Sequence, residues 1–148
     1  MLELKDICFE RDGKKILDNV NLKIDDKKFV VITGPNGGGK STIAKMIMGI
    51  EKPDSGKIFF NGEDITEKSI SERANMGIGF AFQQPVRFKG ITVEDLMDLS
   101  VGRKTNFVEK CDILSSVGLC SKDYLKREIN SSLSGGELKR IEIATVVA

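Results

Sequence analysis

The stretch Gly34-Pro35-Asn36-Gly37-Gly38-Gly39-Lys40-Ser41 constrains this 148-residue chain more than any other. It fits GxxxxGK[ST] in full. A short apolar run rich in β-branched residues, Phe29 to Ile32, precedes it, and Ile43, Ala44, Ile47 and Met48 follow at helical spacing. Glycines allow a backbone to wrap closely around a phosphate and to aim its N–H groups inward. The start of the following helix adds partial positive charge at the same place. Lys40 then supplies a mobile cation for the terminal phosphates, and the Ser41 hydroxyl is suited to Mg²⁺. A glycine-rich turn with a solvated lysine needs neither flank, so the phosphate reading is preferred.

Composition narrows the class. Lysine and arginine number 23 against 22 acidic residues, a formal net charge of +1. Nucleic-acid binding driven by counterion release needs a cationic surplus that this chain lacks, so no nucleic-acid partner is expected. The N-terminus alternates apolar and charged residues and shows no signal-peptide core. Phe29 to Ile32 falls far short of the ~20 apolar residues of a membrane helix. Cys8, Cys111 and Cys120 are an odd set without CxxC spacing, which argues against a disulfide framework or zinc site and for a reducing, cytoplasmic setting. With no histidine in the sequence, imidazole chemistry is excluded within the chain.

Patterning along the chain predicts strands around Leu2–Phe9, Asn19–Ile24, Phe29–Ile32, Lys57–Phe60 and Gly77–Phe82, with turns at Asp12-Gly13, Asp25–Lys28, Pro53–Gly56 and Asn61-Gly62. The run at Phe29–Ile32 reads as a strand buried on both faces of a parallel sheet. Gly49 stops the helix that follows the glycine loop. Thr92 caps a helix with Asp95 as its third residue and Val93, Leu96, Met97 and Val101 as its buried stripe; a further helix runs from Phe107 to Val117 and ends at Gly118. Ser134 and Glu137 form a capping-box spacing before an apolar helix. Leu138, Ile141, Ala144, Thr145 and Ala148 share one face of it, and Ile143, Val146 and Val147 lie on others, so deep burial is expected. That helix reaches Ala148 without a C-terminal cap, which reads as a sequence cut off.

A second glycine cluster decides among phosphate-binding classes. Leu133-Ser134-Gly135-Gly136-Glu137, followed by Leu138-Lys139-Arg140, resembles the LSGGQ signature of the ATP-binding cassette (ABC) family. As a local feature it serves equally well as a plain helix cap; downstream of a strand-flanked glycine loop the signature reading is preferred. Gln83, directly after Phe82 and before Gln84-Pro85, stands where this family carries its Q-loop glutamine. More narrowly, Phe82-Gln83-Gln84-Pro85-Val86 and the glutamate-ended signature resemble the ATPase of the Suf iron–sulfur cluster assembly system.

The resemblance implies an α/β fold: a P-loop NTPase core with an antiparallel β-subdomain and a helical subdomain, ending after the signature helix. Residues of about 1–84 would form the core and β-subdomain, about 85–136 the helical subdomain, and 137–148 the signature helix. It implies ATP and Mg²⁺ as ligands, with Gly34, Pro35, Asn36, Gly37, Gly38, Gly39, Lys40, Ser41 and Thr42 binding ATP, Ser41 and Gln83 on the metal, and Lys40 and Gln83 in catalysis. Leu133 to Glu137 would act across a head-to-tail dimer with a second ATPase subunit. The partner would be a membrane transporter domain or a soluble assembly scaffold, placing the protein in the cytoplasm or at the inner face of a membrane. Two departures stand out. The aromatic that stacks adenine in this family is missing around Arg11 to Lys15, where nearby Phe9 or the Arg11 guanidinium plane are the alternatives, and Gly38 replaces a commoner serine or alanine. The family's Walker B aspartate, catalytic glutamate and switch histidine follow the signature helix, so residues 1–148 alone are expected to be inactive. The alternatives are a P-loop kinase, which leaves the signature unexplained, and a non-catalytic nucleotide-binding fragment.

Overall fold

A computed structural model describes residues 1–84, 86–130 and 132–148. Its contacts divide the chain into two units, Met1–Ile78 and Gly79–Ala148.

The first unit is built on an antiparallel sheet. Strands β1 (Leu2–Arg11), β2 (Lys14–Ile24), β3 (Ser55–Phe60) and β4 (Glu63–Asp64) lie in the order β2-β1-β3-β4. Asp12-Gly13 supplies the expected tight turn between β1 and β2, both residues adopting positive φ. Pairing of Leu4 with Leu22 on one side and Ile58 on the other sets the register that keeps Leu4 and Ile58 inside. Helix α1 (Lys40–Met48) lays Ile43 and Met46 on this core, with Leu17 and Ile65 beside them. Its C-terminus is closed by Gly49 at φ 86°, as the sequence predicts.

Helix α2 (Ile70–Asn75) was not anticipated, although Ser69-x-x-Glu72 is a complete capping box. It carries Arg73, which is only 1% exposed. Its guanidinium donates to the carbonyls of Met46, Ile47, Thr66 and Lys68 at 2.5–3.1 Å. A cation at the carboxyl end of α1 also meets the negative pole of that helix. The arginine therefore fixes α1, and with it the glycine loop at the other end of α1, to the rest of the unit.

The second unit is helical: α3 (Val93–Val101), α4 (Phe107–Ser116), α5 (Ser121–Tyr124) and α6 (Gly135–Val147). Thr92 and Asp95 close the predicted capping box on α3. Val93, Met97, Leu114, Leu125, Ile129, Leu133, Leu138 and Ile141 form one core. Lys110, its side chain 5% exposed, is neutralised there by Glu94 and Asp98, each at 3.0 Å.

Three expectations are corrected. Phe29 to Ile32 forms no strand, and Phe29 is 94% exposed. A parallel core strand exists only when neighbours satisfy its backbone on both sides, and no such neighbour lies among the described residues. Gly77 to Phe82 is likewise not a strand, for the same reason. Helix α6 buries Leu138, Ile141 and Ala144 but not its other apolar positions: Val147 is 70% exposed. It packs on α3 and α4 along one face only.

Candidate functional site

The glycine loop takes a conformation that its residue types dictate. Gly34, Gly37 and Gly39 all have positive φ, a region that side chains disfavour. At Gly39 the constraint is doubled, because a Cβ there would fall 2.5 Å from a Leu17 methyl carbon. Gly38 N–H donates to the Pro35 carbonyl at 3.2 Å and closes the turn. Lys40 reaches back over the loop and donates to the carbonyls of Gly34 at 2.8 Å and Pro35 at 2.6 Å. No carboxylate among the described residues pairs with it, so its charge remains available to an anion.

The start of α1 differs from those of the other helices of six or more described residues. Helices α2, α3, α4 and α6 each have a full capping box with an acidic third residue. Helix α1 has neither a side-chain cap nor an acid in its first turn. Its first N–H groups are thus left for an external acceptor, with the helix dipole and Lys40 supplying positive charge. Ser41 is exposed at this end and Thr42 half-buried. These features fit a phosphate chain with a bound Mg²⁺: an anion cradle without a competing carboxylate, and a hydroxyl suited to a hard cation.

Gln83 and Gln84 lie in the second unit and are both exposed. The residue before them is tethered on both backbone groups. Phe82 N–H donates to Glu142 Oε1 at 2.7 Å, and Lys139 Nζ donates to the Phe82 carbonyl at 2.5 Å. Phe82 also packs edge-on against Phe80, with centroids 5.0 Å apart. Pro85, the end of the predicted glutamine turn, lies outside the described residues.

The Leu133–Glu137 turn opens α6. Leu133 is buried and anchors it, while Ser134, Gly135 and Gly136 are exposed. Ser134 Oγ accepts from the Glu137 amide at 3.2 Å, and Glu137 Oε2 accepts from the Ser134 amide at 2.7 Å. The turn is thus a complete helix cap, and its serine and both glycines remain exposed. Arg11, expected as a substitute for an adenine-stacking aromatic, pairs with Glu51 at 3.2 Å.

Residues 17–148 match the sequence model of the ABC transporter family. The chain belongs to the ABC transporter family. An uncharacterized ABC transporter ATP-binding protein of Methanocaldococcus jannaschii is 41% identical over 99% of this chain and 62% of its own length. The probable ATP-dependent transporter ycf16 of Trieres chinensis is 35% identical over 99% of this chain and 64% of its own. This ABC chain thus spans less than two thirds of the length of these relatives. Among solved structures, an ATP-binding cassette determined as a dimer bound to ADP and phosphate superposes with a TM-score of 0.82. It is 26% identical over 100% of this chain and 69% of that one. The α/β P-loop fold expected from the motifs is the fold of these cassettes, and ATP with Mg²⁺ is the ligand pair of the ABC family. Among the described residues, no helix is long and apolar enough to cross a membrane.

Proposed function

We propose that this chain is the nucleotide-binding part of an ABC ATPase subunit, in which ATP hydrolysis powers a transporter. The observation that carries the reading is the uncapped start of α1 with Lys40 folded over it. In this reading Gly34 to Thr42 cradle the phosphates, and Lys40 exchanges its two loop carbonyls for phosphate oxygens. Ser41 and Gln83 hold Mg²⁺, which supplies charge neutralisation at the phosphates when bound. Ser134, Gly135 and Gly136 face nucleotide held by a second subunit, and this dimeric arrangement is supported by likeness to a cassette solved as a dimer. A transporter partner is supported by the printed names of the relatives. Coupling to a Suf-type assembly scaffold instead rests only on the Gln83 turn and the glutamate-ended signature. A kinase would leave that signature without a role.

Paramagnetic relaxation tests the metal assignment. With nucleotide and Mn²⁺ in place of Mg²⁺, the side-chain amide signal of Gln83 is expected to broaden more strongly than that of Gln84, together with the Ser41 amide. Broadening of Gln84 with Gln83 unaffected would reverse the choice between the glutamines.

A further inference from the structure

The signature turn is held by a contact that neither its own motif nor its capping box supplies. In α2 and α3 the capping hydroxyl itself donates to the acid of the box, Ser69 to Glu72 and Thr92 to Asp95, each at 2.6 Å. In α6 the hydroxyl donating at 2.5 Å to the acid, Glu137 Oε1, is that of Tyr124, at the end of α5. Arg127 completes the brace. Its guanidinium lies 3.5 Å from Glu137 Oε1, stands 5.1 Å from the centre of the Tyr124 ring, and donates to the Ser132 carbonyl at 3.3 Å. Both oxygens of Glu137 are thus committed, one to the Ser134 amide and one to the Tyr124–Arg127 pair. The Tyr124 hydroxyl, followed by the Ser134 contacts, holds the Glu137 carboxyl down to about 2. An acid so anchored stays charged and stationary, and it fixes the backbone of the turn through its bond to the Ser134 amide.

We propose that Tyr124 is a positioning residue for the signature turn: by clamping Glu137 it holds Ser134 and the Gly135-Gly136 amides in the geometry that meets nucleotide bound to a second copy of the protein. This rests on the reading of Leu133–Glu137 as a cross-dimer signature. Tyr124 touches no nucleotide itself. Its hydroxyl satisfies Glu137 Oε1, the oxygen that does not accept from the Ser134 amide. Preorganised donors of this kind lose effectiveness when their support is loosened, even though every donor remains present.

The test compares Tyr124→Phe with Ser134→Ala in the full-length protein, reading three quantities for each: Mg-ATP affinity of the P-loop, Mg-ATP-driven dimerisation, and amide exchange at Gly136 and Glu137. Tyr124→Phe removes one oxygen and keeps the ring in place. It is expected to leave P-loop affinity within about twofold, to weaken dimerisation by about tenfold, and to speed exchange at those two amides by a similar factor, the worth of one charge-assisted hydrogen bond. A purely structural role would lower thermal stability and P-loop affinity together, without separating them from dimerisation. Unchanged dimerisation in Tyr124→Phe, with Ser134→Ala abolishing it, would overturn the role of Tyr124 and leave the signature reading intact. Unchanged dimerisation in Ser134→Ala would overturn the signature reading and the proposal with it.

Discussion

Lys40→Ala is expected to weaken Mg-ATP binding by at least about a hundredfold, the scale of losing a charge-assisted contact to phosphate at a partly desolvated site. Lys40 already spans the loop and donates to the Gly34 and Pro35 carbonyls, so it is held at the mouth of the cradle rather than free in solvent. Nothing else in the loop carries positive charge, and the amides of α1 act only through partial charges. Because the lysine is half-exposed and bonds no carboxylate among the described residues, its removal should leave the fold in place. Calorimetric titration of the variant and the parent chain checks this. Equal affinities would remove the basis for assigning phosphates to this loop.

The second large effect concerns turnover. Residues 1–148 are expected to hydrolyse ATP no faster than background, because a P-loop ATPase needs a carboxylate placed to polarise the attacking water as well as clamps on the phosphates. Two acidic pairs, Glu63-Asp64 and Glu94-Asp95, are engaged elsewhere. Asp64 accepts from Thr66 and from Lys57, which hold its carboxyl well below the usual range, and Glu63 pairs with Lys68 at 2.9 Å. Glu94 is held low by Lys126 and Lys110, and Asp95 by Thr92. Carboxylates depressed in this way are poor proton acceptors. A key charge in such a site is worth orders of magnitude in rate, so phosphate release by this chain should not exceed that of Lys40→Ala. Steady turnover that Lys40→Ala abolishes would mean that one of these carboxylates does serve the water.

What was legible in the sequence is what short-range chemistry determines. The capping residues Thr92 and Ser134, the Asp12-Gly13 turn and the Gly49 stop depend on groups a few residues apart, and each is where it was expected. The glycine loop was legible for the same reason. Ser69 and Glu72 carry an equally clear capping signal for α2, but the helix they open is only six residues long, too short to show a helical apolar period. Phe29–Ile32 and Gly77–Phe82 have strand composition but no strand pairing, since a strand is specified by its neighbours and not by its own residues. The burial of Arg73 against the end of α1 was invisible, because nothing local marks an arginine that will meet carbonyls 26 and 27 positions away. The same holds for Tyr124, whose partner Glu137 lies 13 residues on and whose ring could equally have been ordinary core.

The most direct test of the central claim is an amide chemical-shift titration of the chain with Mg-ATP. The account predicts saturable shifts concentrated at Gly37, Gly39, Lys40, Ser41 and Thr42, with the Lys40 side chain released from the Gly34 and Pro35 carbonyls. Shifts that are absent from this loop, or that saturate at some other part of the chain, would contradict it.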